Sequence, residues 1–268
     1  MNISGKTVVV TGGASGIGAA LARQAAGAGA RVCIADLNGD AAQKLADEIG
    51  GISVVCDVTQ EAQIIAVIDV AEAAFGPVDV FVSNAGLGRG DPSHAASAPD
   101  ADWMLNWNVH VMAHVWAARA LLPAMIKCGS GHFVNVASAA GLLNQIGDAA
   151  YSATKHAAVS FAESLLISHG NEGIGVSVVC PQYVATPLLG LGDGDAEGNL
   201  LTAGDVAKSV WQGVADGSFV ILPHPDVAKF SALRGADPSR WIKGMQMLRA
   251  KAMSEQGGIS VAEFYKLV

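Results

Sequence analysis

The chain has little charge, few aromatic residues and few cysteines, and each shortage excludes something. Charged residues fill 15% of the 268 positions, while 51% are hydrophobic. That balance excludes a disordered chain, which needs the reverse. Basic residues are outnumbered 16 to 24, for a formal charge of −8. A net acidic chain repels phosphate, so neither nucleic acid nor an anionic membrane is an expected partner. The four cysteines, Cys33, Cys56, Cys128 and Cys180, form no C-x-x-C pair, which removes zinc-ribbon and thioredoxin-like readings. Cys33, Cys56 and Cys180 lie in apolar runs and read as reduced, buried small hydrophobes. His110 and His114 share a helix face but lack a third ligand and a nearby carboxylate, so no metal is expected. The 32 glycines follow no three-residue period, which excludes collagen and leaves tight turns as their use. Residues 1–4 form no basic leader, and the apolar stretch 109–126 is interrupted by His110, His114, Arg119 and Pro123. Neither a secretion signal nor a membrane span is expected, and the cytoplasm is the expected location.

What the chain does have is alternation. Short apolar runs at 6–10, 31–35, 52–56, 79–83, 132–137, 175–180 and 218–222 read as strands. Most are continuously apolar, the pattern of strands buried on both faces in a parallel sheet. Helical patterns at 16–28, 40–49, 60–75, 102–127, 151–169 and 202–216 connect them, a chain of βαβ units. The expected fold is α/β, a doubly wound parallel sheet with helices on both faces, in one domain spanning 1–268. Two segments break the rhythm. Residues 187–201 are glycine- and acid-rich and read as a mobile loop over an active site. Residues 223–268 pass through Pro223, Pro225 and Pro238 into a basic amphipathic helix with Trp241, Met245 and Leu248, a C-terminal helical extension.

The first strand runs into Thr11-Gly12-Gly13-Ala14-Ser15-Gly16-Ile17-Gly18, followed by a helix. Glycines let backbone approach a pyrophosphate, and the helix N-terminus supplies free N–H groups and partial positive charge. Gly18 permits close packing of helix on strand. Asp36 ends the second strand, where a carboxylate accepts hydrogen bonds from a ribose diol and repels a 2′-phosphate. Ser15 brings no positive charge to offset that repulsion, so NAD(H) is expected over NADP(H). Asp57 ends the third strand and reads equally well as a turn acid.

Tyr151 and Lys155 are four apart at the start of a helical pattern, so both project from one face. Ser138 follows the fifth strand, at the sheet edge where parallel-sheet enzymes keep their ligands. A phenol that exchanges a proton with a substrate oxygen, a cation that makes that phenol more acidic, and a hydroxyl that holds the oxygen suit the interconversion of alcohol and ketone. An ammonium about 4 Å away, at an effective dielectric near 20, supplies roughly the 4 kcal/mol that a drop of about three pKa units requires.

Together, Thr11-Gly-x-x-x-Gly16-x-Gly18, Asn84-Ala85-Gly86, Asn108, Ser138, Tyr151-x-x-x-Lys155 and Pro181 resemble the short-chain dehydrogenase/reductase family, in order over about 3–222. The resemblance implies a Rossmann-like sheet of seven parallel strands in the order 3-2-1-4-5-6-7, a nicotinamide cofactor and a Ser-Tyr-Lys site. It implies that Asn84, Ala85 and Gly86 steady the sheet near the adenosine ribose, and that Asp57 and Val58 meet the adenine. It places Ile17 at the pyrophosphate, and Val184 and Thr186 beyond Pro181 at the nicotinamide carboxamide. Asn108 is implied to hold a helix kink and a water that links Lys155 to solvent. The chain departs from the family at Gln182, where glycine usually follows the proline, and at Ser83, where asparagine is usual.

The substrate region is expected to draw on Leu142, Leu143, Gln145, Gln182, Tyr183, Leu188, Leu189 and Leu191, mostly apolar. A hydrophobic secondary alcohol or ketone fits these better than a sugar phosphate. By the resemblance the partner is a second copy of the chain, in a homodimer or homotetramer; Trp103 and Trp107 on one helix face suit either the core or such an interface. A non-catalytic dinucleotide-sensing scaffold and a reductase of C=C or C=N bonds stay open as alternatives.

Overall fold

Valine-rich segments with no polar alternation pair into one sheet buried on both sides. The computed structural model describes residues 1–255 and 257–267. In chain order, β1 (Thr7–Thr11), α1 (Gly16–Gly27), β2 (Arg31–Asp36), α2 (Gly39–Ile49), β3 (Ile52–Val55) and α3 (Glu61–Phe75) form the first half of the wind. There follow β4 (Val80–Ser83), α4 (Asp100–Trp107), α5 (Ala113–Cys128), β5 (Gly131–Val136), α6 (Ala149–His169) and β6 (Ile174–Val179). The chain then forms β7 (Val184–Ala185), β8 (Leu201–Thr202), α7 (Ala203–Asp216), β9 (Val220–Ile221), α8 (Asp226–Ala236) and α9 (Pro238–Glu255). The main sheet has seven parallel strands in the order β3-β2-β1-β4-β5-β6-β9. This is the expected winding, with β9 as its seventh strand.

Side-chain alternation divides β1 between two cores. Val9 joins Cys33, Phe81 and Phe133 under α3, α5 and α6. Val8 and Val10 join Leu21, Ile34 and Val206 under α1 and α7. Strands that feed both faces have no room for polar residues, which is why the runs read as continuously apolar.

Three expectations need correction. The helical pattern expected over 102–127 begins at Asp100 and opens into a π-turn at Asn108–Met112, where the Ala113 N–H reaches back to the Asn108 carbonyl. Such turns insert one residue and re-aim a helix, often at a functional site. The tail folds as two helices, α8 and α9, with Pro225 just before the first and Pro238 opening the second; proline suits the first turn because its missing N–H is not needed there. Residues 187–201 carry two short 3₁₀ turns and end in β8, which pairs in parallel with β7. The helical run Asp100–Cys128 is long and apolar enough to cross a bilayer by length and composition, yet half of its most apolar window is buried inside the fold.

Four histidines are buried in this architecture, His110, His114, His132 and His224, and the first three are the deepest. Burial pulls His114 down to about 3 and His132 to about 4, and pushes His110 well below the usual 6.5. Each is neutral when folded and free to charge when unfolded, so below about pH 6.5 the unfolded chain binds more protons and stability falls as pH falls. His114 and His132 should each withdraw roughly 2 kcal/mol by about pH 5. Thermal melts between neutral pH and about pH 5 should show a steep loss of Tm; a flat profile would contradict this assignment.

Candidate active site

The strands of the parallel sheet all end on one edge, and the loops leaving β1, β4, β5 and β6 meet there. After β1 the chain turns at Gly12 with φ of +60°. A Cβ at Gly12 would lie 2.7 Å from the Ala85 Cα, and one at Gly18 would run into the Gly12 carbonyl oxygen. Both contacts are with backbone, so neither position tolerates a side chain. Thr11 and Asn84 stitch β1 to β4: the Asn84 side chain donates to the Thr11 carbonyl at 2.9 Å and the Gly12 carbonyl at 3.1 Å, and the Asn84 and Ala85 N–H groups donate to Thr11 Oγ1. Ser15 precedes α1 in extended conformation with no side-chain cap, and the first turn of α1 carries no acid. The helix N-terminus therefore keeps its attraction for an anion. Asp36 sits beside this turn, its Oδ2 accepting from the Ala14 N–H and its Oδ1 from the Asn38 N–H, both at 2.9 Å. Each oxygen keeps a lone pair for a ribose hydroxyl. This glycine cradle, helix N-terminus and acid fit a dinucleotide.

The second half of the site is set by how α6 begins. Asp148 caps the helix: its Oδ1 accepts from the Tyr151 N–H at 3.0 Å, and its carbonyl accepts from Ser152 Oγ at 2.9 Å. Tyr151 thus stands in the first turn, with Lys155 one turn on. The Lys155 ammonium donates to the Val136 carbonyl at 3.0 Å and lies 5.5 Å from the Tyr151 ring centroid. Ser138 Oγ accepts from the Ala140 N–H at 3.1 Å, leaving its hydroxyl proton for a hydrogen bond to the Tyr151 phenol. A cavity of about 360 Å³ is lined by Ser15, Gly16 and Ile17 of the glycine turn together with Ser138, Tyr151 and Lys155.

Residues 6–192 match the model of the short chain dehydrogenase family. The chain belongs to this family. It is 34% identical over 235 residues to 1-deoxy-11-beta-hydroxypentalenate dehydrogenase of Streptomyces avermitilis, covering 84% of this chain and 87% of that protein. It is 35% identical over 194 residues to epidermal retinol dehydrogenase 2 of Mus musculus, covering 69% of this chain and 62% of that protein. A crystal structure of a short chain dehydrogenase/reductase from Burkholderia phymatum in complex with NAD superposes with a TM-score of 0.80 at 31% identity, covering 88% of this chain and 95% of that one.

Within this short chain dehydrogenase the electrostatics differ from the sequence expectation. Burial pushes the Tyr151 phenol up to about 12, against the opposing pull of the Ser138 hydrogen bond. Burial also brings the Lys155 ammonium down to about 8. Desolvation disfavours the charged form of each and is the largest influence on both.

The structure gathers some of the expected residues and not others. Asn84, Gly86, Pro181, Val184 and Thr186 line the same cavity as Tyr151. Gly16 packs against Thr186, whose Cγ2 would lie 3.2 Å from a Cβ there. Asp57 is a turn acid, its Oδ1 accepting from the N–H and hydroxyl of Thr59, and the Val58 side chain is buried in the core. Asn108 opens the π-turn and lies outside the cavity lining. Leu188 and Leu189 reach the cavity, whereas Leu142 packs with Ala139, Val227 and Trp241. Gln182 bears no backbone strain, since no described residue other than glycine has positive φ; its N–H donates to His224 Nδ1 at 3.0 Å. The Tyr183 hydroxyl donates to Gln145 Oε1 at 3.1 Å.

Three residues that the sequence analysis did not assign to the site help to build it. His110 meets the Tyr151 ring edge-on, centroids 5.3 Å apart. Its Nε2 accepts from the Leu87 N–H, which leaves Nδ1–H to donate to Thr154 Oγ1 at 2.9 Å. The helical step from Asn108 to His110 gave no hint of this. Asp148 was legible as an acid three residues before Tyr151, an N-cap position. His224 holds the loop after β6, contacting the Tyr183 and Asn199 carbonyls through Nε2.

Proposed function

We propose that the chain is an NAD(H)-dependent oxidoreductase that interconverts a hydrophobic secondary alcohol and its ketone. The observation that carries this reading is the single cavity shared by the α1 N-terminus and the Ser138, Tyr151 and Lys155 side chains. Support for the cofactor comes from Asp36 beside the glycine turn and from the NAD named for the Burkholderia phymatum structure. Support for an alcohol substrate comes from the retinol and hydroxypentalenate dehydrogenases named above. A bound nicotinamide ring supplies the hydride donor or acceptor and, when oxidised, a positive charge. In reduction, the Tyr151 phenol, kept neutral by burial, gives its proton to the carbonyl oxygen, while the Ser138 hydroxyl holds that oxygen. In oxidation the proton returns from the alcohol to the Tyr151 oxygen, with the Lys155 ammonium nearby. All three side chains of the proton-handling group are present and adjacent, which favours catalysis over a sensing scaffold.

Met104 and Trp107 on α4 and Ile167 on α6 are exposed apolar side chains, which supports a homodimer or homotetramer. Light scattering that returned the mass of one chain would overturn that part of the reading.

Two substitutions test the chemistry. Tyr151→Phe should lower kcat about a thousandfold with little change in coenzyme affinity. Oxidation at near wild-type rate in that variant would sink the proton-transfer role. Asp36→Ser should weaken NADH binding and narrow the gap to NADPH, read by fluorescence titration of both. Tighter NADPH binding by the unaltered protein would overturn the cofactor assignment.

A further inference from the structure

A second cavity, of about 530 Å³, opens beside the first and shares Ser138, Gln145, Gln182 and Tyr183 with it. Its remaining wall comes largely from the tail. Phe230 and Leu233 of α8 and Trp241, Met245 and Leu248 of α9 face the Leu143 side of the Ser138 loop across it. The hairpin is anchored independently of any ligand. Val227 is fully buried with Ala139 and Leu143, the Arg234 guanidinium donates to the Leu142 carbonyl at 2.6 Å, and the buried Phe264 forms part of the chamber wall. Phe230 and Trp241 stand 6.2 Å apart, both still partly open to solvent. Apolar side chains held open by a fixed scaffold at the edge of a catalytic serine form a subsite for an apolar ligand.

The rim of the chamber carries the opposite character. Arg240 and Lys243 line it and are exposed, and neither side chain has a hydrogen-bond or ion-pair partner among the described residues. By contrast, Lys229 and Lys266 elsewhere in the tail are paired with Asp226 and Glu263. Helix α9 holds Arg240, Lys243, Arg249 and Lys251 against the single acid Glu255, in a chain whose overall charge is −8. A local cationic rim on an acidic protein attracts an anion to the mouth of the chamber. The hairpin lies beyond residues 6–192, the segment that matches the family model.

We infer that the α8–α9 hairpin is the specificity subsite of the enzyme. It takes an amphipathic substrate whose alcohol or ketone lies at Ser138, whose apolar body fills the chamber, and whose far end is an anion facing Arg240 and Lys243. This rests on the oxidoreductase reading above and adds the substrate class to it. The anion is a carboxylate or a phosphate, and the two are separated by experiment.

The test uses the full chain with NADH and four ketones: butanone, methyl octyl ketone, the same ketone ending in a carboxylate, and the same ketone ending in a phosphate monoester. Burying the longer chain should raise kcat/KM on the order of tenfold or more from butanone to methyl octyl ketone. A terminal anion should raise it several-fold again, in a salt-sensitive manner, and the better of the two anions names the source. The double variant R240A/K243A should erase the advantage of the anionic ketones over methyl octyl ketone. Phe230→Ala, at a partly exposed position where truncation leaves the core intact, should flatten the dependence on chain length. Equal turnover of butanone and methyl octyl ketone would overturn the apolar subsite. An anionic end that gives no advantage, or one that survives R240A/K243A, would overturn the cationic rim. Failure of every ketone, butanone included, would instead overturn the oxidoreductase reading on which the inference rests.

Discussion

The Lys155 ammonium is nearly fully buried, and the hydrogen bond it donates goes to a neutral carbonyl, that of Val136. Removing an ammonium from water costs several kcal/mol unless something offsets it, and a backbone carbonyl offsets little. The surroundings bear the marks of that burial. His110 and His114 on the neighbouring helix are driven toward their neutral forms, first by their own burial and then by the Lys155 charge. The Asp148 cap fixes the Tyr151 backbone at the start of α6, and the His110 ring packs against the Tyr151 ring. A costly cation beside a phenol is what an active site keeps and a structural core discards. The rest of the catalytic arrangement follows from where α6 starts.

The π-turn is part of the same constraint. Without the inserted residue at Asn108–Met112, the helix through α4 and α5 would present a different face to α6. With it, His110 lies between the Leu87 N–H and Thr154, joining the loop after β4 to the catalytic helix. Asn108 contributes here through its backbone carbonyl, which accepts the longer hydrogen bond. The coenzyme half of the site is built by a different device, glycines at positions 12 and 18 that no side chain can replace.

Much of this was legible in the residues. Two-faced burial writes itself as continuous apolar runs, so the strands followed from the βα rhythm, and their order followed from the family resemblance. The Tyr151–Lys155 step and the glycine turn read correctly because both depend on local spacing. The electrostatics did not, because desolvation depends on how much of the fold closes over a group. The spacing shows a cation beside a phenol, but not that burial raises Tyr151 and lowers Lys155. His224 was illegible because its partners, the Gln182 N–H and the Tyr183 and Asn199 carbonyls, come from distant loops. The two-residue strands β7 and β8 carry too short a pattern to see. The α8–α9 chamber exists only once the tail returns over the Ser138 loop, so its apolar residues looked like an ordinary amphipathic helix.

The central claim is that Tyr151 is a neutral, buried phenol which becomes a usable base only when a positive nicotinamide lies beside it. The chain has three tyrosines, Tyr151, Tyr183 and Tyr265, few enough to follow individually by NMR of ring-labelled tyrosine. Burial pushes both Tyr151 and Tyr183 up to about 12, so Tyr183 serves as an internal control. With saturating NAD⁺ the Tyr151 signal should reach the midpoint of its move to the phenolate position by about pH 9, a fall of roughly three units, while Tyr183 stays protonated. A Tyr151 resonance that remains with Tyr183 in the neutral form under those conditions would contradict the account.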